Sequence, residues 1–163
     1  MKPALKLIIS LAIPLAIGAI GGYFSSSSIS VWYGALHKPA FNPPDGVFFP
    51  VWTVLYILMG LAFYLVWTHH AKLEKKYTAY TYYFLQLALN LLWSFLFFYL
   101  HHTGQALADI IILFLLITGT ISSFRKISKT AAWLLVPYLL WVGYALVLNL
   151  QIWQLSSRFK VQG

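Results

Sequence analysis

Long apolar runs broken by short polar clusters dominate the chain. Five of them cover residues 5–24, 47–69, 77–100, 105–124 and 131–155. At about 1.5 Å per helical residue, each spans roughly 30 Å of hydrocarbon. None shows the strict apolar–polar alternation of a barrel strand, and only a helix satisfies so long a backbone inside lipid. The pattern therefore predicts an all-α integral membrane protein, a bundle of five transmembrane helices forming one domain over residues 1–163.

Composition leads the same way. Hydrophobic residues make up 61% and charged residues 9% of the 163, with a mean hydropathy of +0.77. A soluble domain carries about 25% charged residues, so the apolar excess must face lipid. The amino-terminal run, with Lys2 and Lys6 before it, also has the look of a secretory leader. Its 18 apolar residues from 7 to 24 exceed an ordinary leader core, and it is read as a retained first helix.

Three connections are short, at 72–76, 101–104 and 125–130, and make consecutive helices antiparallel neighbours. The stretch 25–46 is predicted to be a long loop, with a serine tract and the segment from Lys38 through Phe41, Pro43 and Pro44 to Gly46. Its prolines disfavour helix, and a loop so rich in Pro and aromatics suggests a lid. Five crossings put Lys2, Lys6, Lys72, Lys75, Lys76, Arg125, Lys126 and Lys129 on one side, against Lys38, Arg158 and Lys160 on the other. By the positive-inside rule the amino terminus lies inside and the carboxyl terminus outside.

The net charge of +8 sits in short clusters with no groove-reading stripe, so nucleic acid is not expected as a partner. With no cysteine, any metal site would rest on histidine. The pairs His69-His70 and His101-His102 point about 100° apart on a helix and make poor ligand sets, so no metal is expected. These pairs read as interfacial anchors, as do Trp32, Tyr33, Trp67, Tyr77, Trp133 and Trp153. Asp109, alone among acids within a span, is given a structural role near a helix start.

Candidate chemistry lies on three faces. In the third span Gln86, Asn90, Trp93 and Phe97 form one stripe, whose amides serve equally well as helix glue or ligand contacts. In the fifth, Trp141, Ala145, Leu148, Asn149 and Ile152 set a large ring beside a small residue. In the second, Trp52, Tyr56, Gly60 and Phe63 again mix rings with a gap. Together they are expected to wall a flat aromatic pocket. Small-residue pairs, Gly18 with Gly22 and Gly119 with Ser123, suit close helix packing within or between protomers.

These motifs resemble the translocator protein family, also called tryptophan-rich sensory protein or peripheral-type benzodiazepine receptor. The resemblance rests on Trp32-Tyr33, Lys38-Pro39 and Pro43-Pro44; on Pro50-Val51-Trp52-Thr53 with Leu55-Tyr56; on Gln86-Leu87 with Asn90 and Trp93; and on Val136-Pro137-Tyr138-Leu139 with Trp141 and Leu148-Asn149. It implies a bacterial-type receptor or sensor for porphyrins, protoporphyrin IX or haem; transport of porphyrin or another apolar metabolite across the membrane is the alternative. It further implies light-dependent porphyrin degradation at Trp52 and Trp141, and a pocket of Trp52, Tyr56, Asn90, Trp93, Trp141, Ala145, Leu148 and Asn149. Phe41, Pro43 and Pro44 would form its lid. No cofactor is required, porphyrin being ligand or substrate, and a homodimer in lipid is the implied assembly. The expected location is a bacterial cytoplasmic membrane, although relatives also occupy outer membranes. Phe41 and Asp45-Gly46 depart from the family's usual Trp and basic residues. No basic residue follows Tyr144 before Arg158, so the cholesterol motif is absent.

Overall fold

The computed structural model describes residues 1–161 and is helical through nearly all of them. The elements are α1 (Pro3–Ser28), α2 (Asp45–Thr68), α3 (Leu73–Ser94), α4 (Thr103–Arg125), α5 (Lys129–Leu134) and α6 (Val136–Val161). Among the described residues five helical stretches are long and apolar enough to cross a membrane, α5 and α6 together making the fifth. Pro137, which cannot donate to a preceding carbonyl, follows the break at Leu135. Around the bundle α1 packs on α2 and α3, α3 on α4, and α4 on α5 and α6.

The connection between the first two spans is much shorter than expected. The helix runs through the serine tract into a π-helical turn, Ile29–Tyr33, leaving only 36–44 without helix. Serine is a poor helix former when water or a turn competes for its hydroxyl, but in an apolar phase the hydroxyl returns to its own backbone. Ser25 Oγ donates to the Gly21 and Gly22 carbonyls at 3.1 Å each, and Ser26 Oγ to Tyr23 at 3.0 Å. A second π-helical turn, Phe95–Tyr99, ends α3 beside the first. Ser28 joins the two turns by donating its hydroxyl to the Phe98 carbonyl.

Small residues let helices approach closely. A Cβ on Gly60 would lie 2.7 Å from the Ser10 carbonyl oxygen and 2.9 Å from Leu11 Cα. Gly60 therefore seats α1 on α2, which corrects the expectation that it opens space in a pocket. A Cβ on Gly18 would run into the Tyr56 ring, and one on Gly119 would lie 2.7 Å from the Tyr82 ring. These two glycines pack within the bundle, whereas a Cβ on Gly22 would meet nothing within 4 Å.

All eight cations of the basic set fall at the end holding the amino terminus and the α2–α3 and α4–α5 turns. Two of them are tied down there: Lys6 Nζ sits 5.6 Å from the Trp67 ring centroid, and Lys76 Nζ donates to the Trp67 carbonyl at 2.9 Å. The short linker and the α3–α4 turn lie at the opposite end. The Lys160 side chain lies outside the described residues.

Candidate functional site

Helix α3 directs its polar stripe inward, and its amides meet other side chains of the bundle. Tyr56 donates its hydroxyl to Asn90 Oδ1 at 2.6 Å, while Asn90 Nδ2 donates to the Tyr138 hydroxyl at 3.0 Å. Tyr138 in turn donates to Gln86 Oε1 at 2.8 Å, and Gln86 Nε2 lies 3.8 Å from the Met59 sulfur. This chain links α2, α3 and α6 through fully desolvated groups, each bond offsetting a polar burial that hydrocarbon penalises. In this arrangement Gln86 and Asn90 are bonded to side chains of other helices.

A second tie lies nearer the linker. Trp93 Nε1 donates to Asn149 Oδ1 at 3.0 Å, and Asn149 Nδ2 donates to the Thr103 carbonyl at 2.9 Å. Below the linker a hollow of about 20 Å³ is lined by Tyr33, Phe48, Trp93, Ala145, Leu148 and Asn149, with Phe97, Phe98 and Ile152. It holds at most a water-sized object, whereas drug-sized ligands occupy about 300–1,000 Å³.

Trp52 and Trp141 stand beside this hollow rather than in its lining. Trp52 stacks on Tyr56 at 5.7 Å between centroids and meets the edge of Tyr138 at 6.3 Å. Trp141 packs against Phe48 at 6.2 Å and Tyr144 at 5.5 Å. Its indole Nε1 is buried without an acceptor. Helix α2 packs well against α5 but only slightly against α6, so the two helices part toward the linker end. Rings fill the gap: Phe41 lies 6.4 Å from Tyr144, whose hydroxyl donates to the Phe41 carbonyl.

Three lining residues, Tyr33, Phe48 and Phe98, are absent from the sequence-based faces. Tyr33, expected in the interfacial belt, is only 2% exposed and reaches inward. Its hydroxyl donates to Asn42 Oδ1 at 2.6 Å, Lys38 Nζ donates to its carbonyl at 2.8 Å, and that cation sits 4.4 Å from the ring centroid. Its burial follows from the helical serine tract, which carries Tyr33 over the bundle instead of into a loose loop. Phe48 lies one turn before Trp52, a spacing that places it on the same face. Pro43 accepts from Asn42 Nδ2 at 3.0 Å and Pro44 caps α2, so both prolines shape the linker above the hollow.

The remaining polar candidates sit elsewhere. Asp109 is 6% exposed and its Oδ2 has no hydrogen-bond partner. His101, at φ 59°, stacks on Trp32 at 4.1 Å and lies 3.3 Å from Ser28 Oγ. No group of three or more His, Cys, Asp or Glu that would suit a metal occurs among the described residues.

A family model described as the TspO/MBR family matches residues 10–154. A tryptophan-rich protein TspO of Archaeoglobus fulgidus is 40% identical over 153 residues, 94% of this chain and 98% of that protein. The translocator protein of Homo sapiens is 36% identical over 136 residues, covering 83% and 80% of the two chains. A tryptophan-rich sensory protein of Cereibacter sphaeroides is 39% identical over 125 residues, 77% of each.

Proposed function

This chain belongs to the TspO/MBR family, and we propose that it is a membrane receptor that binds a flat tetrapyrrole, protoporphyrin IX or haem, between α2 and α6 beneath the linker. The observation that carries this reading is the Trp141 indole, whose buried N–H lacks an acceptor in a gap closed by aromatic rings. A buried unpaired donor is costly, and a carboxylate or carbonyl of a ligand would satisfy it. Trp52, Tyr56 and Ala145 then supply stacking surface and room, with Asn90, Trp93 and Asn149 holding the walls in place. Because the hollow is so small, binding requires Phe41, Phe48 and the linker prolines to move outward. The name of the Cereibacter sphaeroides relative, a sensory protein, supports a signalling role.

Protoporphyrin IX titrated into detergent-solubilised protein is expected to quench tryptophan emission saturably. Replacing Trp141 by Phe, which keeps a ring and removes the N–H, is expected to weaken binding roughly five- to tenfold, the worth of one hydrogen bond. Quenching that never saturates overturns the reading. Transport fits less well, since the interior amides bond tyrosine hydroxyls and an indole of neighbouring helices instead of lining a path. Uptake into sealed vesicles in excess of binding would favour it.

A second reading at the same place, light-dependent porphyrin breakdown, is favoured by the oxidisable series Trp52, Tyr56 and Tyr138 in ring contact. Under illumination the porphyrin absorption should then decay faster with the parent protein than with a Trp52→Phe, Trp141→Phe double variant. The excess of basic residues at the end opposite the linker supports a cytoplasmic location for that end.

A further inference from the structure

At the basic end, away from the tetrapyrrole gap, a groove of about 300 Å³ runs between the end of α4 and the start of the fifth span. Ile121 and Arg125, one turn apart on α4, form one wall, and Lys129, Ala132, Trp133 and Val136 form the other. The turn that joins the walls is firmly built. Ile127 N and Ser128 N both donate to the Phe124 carbonyl, at 2.9 and 2.7 Å, and Ser128 Oγ accepts from Ala131 N at 3.3 Å. Buried Ile127, Ala131 and Ala132 anchor it, so the groove is set before any ligand arrives.

Its chemistry is divided. Arg125 and Lys129 supply positive charge, no acidic residue lines the groove, and Ile121 and Val136 give an apolar floor. Trp133 is 72% exposed on the rim, at a helix start where an indole sits well between headgroups and acyl chains. Lys6 and Lys76 at the same end are engaged with Trp67, whereas Arg125 and Lys129 turn to an open groove. A soluble anion would have no use for the apolar wall, and an apolar chain alone none for the cations.

We propose that this groove holds the headgroup phosphodiester of an anionic membrane phospholipid, with Arg125 and Lys129 on the phosphate and Trp133, Ile121 and Val136 along the glycerol and upper acyl chain. Arg125 offers a planar fork of donors for the phosphate oxygens, and Lys129 adds a second charge from the opposite wall. The result is a fixed lipid position on the α4–α5 corner, distinct from the general attraction of a basic surface.

The test uses the full chain in phosphatidylcholine bilayers doped with phosphatidylglycerol or phosphatidylcholine carrying brominated acyl chains. Subtracting the emission of a Trp133→Phe variant isolates Trp133 from the seven tryptophans. Brominated phosphatidylglycerol is expected to quench Trp133 at a much lower mole fraction than brominated phosphatidylcholine. Arg125→Gln and Lys129→Gln should each raise the half-quenching fraction roughly fivefold, while a Lys72→Gln, Lys75→Gln double variant should leave it within about twofold. Equal quenching by the two lipids overturns the proposal. So does an equal loss in both charge-removal sets, which would mean general surface charge. Reversal by millimolar inorganic phosphate also overturns it, since the groove would then be a site for free anions.

Discussion

The α3 face and the α2–α6 gap are both aromatic and both face the bundle interior, yet they are held in opposite ways. On α3 every polar group used by Asn90 and Trp93 has a partner on another helix, so hydrogen bonds fix the relative positions of α2, α3 and α6. In the gap, rings touch rings, the Trp141 N–H has no acceptor, and the closing bond runs from Tyr144 to a linker carbonyl. Directional bonds in hydrocarbon resist rearrangement, whereas ring contacts can slide and re-form elsewhere. The molecule thus sets a wall tied by hydrogen bonds beside a gap closed mainly by ring contacts.

This contrast can be broken most directly at its rigid side. Replacing Asn90 by Leu removes the acceptor of Tyr56 and a donor to Tyr138, and is expected to cost about 2–3 kcal/mol, read as a lowered thermal midpoint in detergent. A Cβ at Gly60 would press on the α1 backbone rather than on a movable side chain. Gly60→Ala should accordingly cost about 1–3 kcal/mol in the same assay, with no change in ligand preference beyond that loss. Trp93→Phe keeps the ring but strands Asn149 Oδ1, a change expected to cost about 1 kcal/mol. At the open side the effect on stability should nearly vanish: Trp141→Phe should stay within about 0.5 kcal/mol of the parent, because no bond is lost. Should Trp141→Phe destabilise as much as Asn90→Leu, the gap would be as rigid as the wall, and an opening linker would lose its basis.

Much of this arrangement is legible in the sequence. Five spans follow from apolar run length, and the inward stripes of α3 and α6 follow from helical spacing. On α2, spacing does not reveal whether a small residue makes room for a ligand or for a backbone. Gly60 does the latter. The first span runs past its expected end for a related reason. A serine tract reads as loop when water competes for its hydroxyls, whereas here Ser25 and Ser26 return them to their own helix. That continuation places Tyr33 over the hollow, a position that nearness to an expected helix end could not reveal. The α4–α5 groove was equally hidden, since Arg125 and Lys129 counted only toward overall charge until the turn brought them to facing walls.

The paired π-helical turns, Ile29–Tyr33 and Phe95–Tyr99, carry a consequence for how the chain tolerates changes in length. A π turn takes up one residue more than an α turn, so the residues that follow keep nearly the face they would have after an α turn one residue shorter. Deleting a single residue from 29–32 would let the segment relax into an unbroken α-helix with Tyr33 kept near its present face, whereas inserting one residue into the regular helix before it would swing Tyr33 by about 100° off the hollow. Helix content would survive either change, but only the insertion would take the roof off the hollow, so these two turns act as register-setters for everything at the linker end.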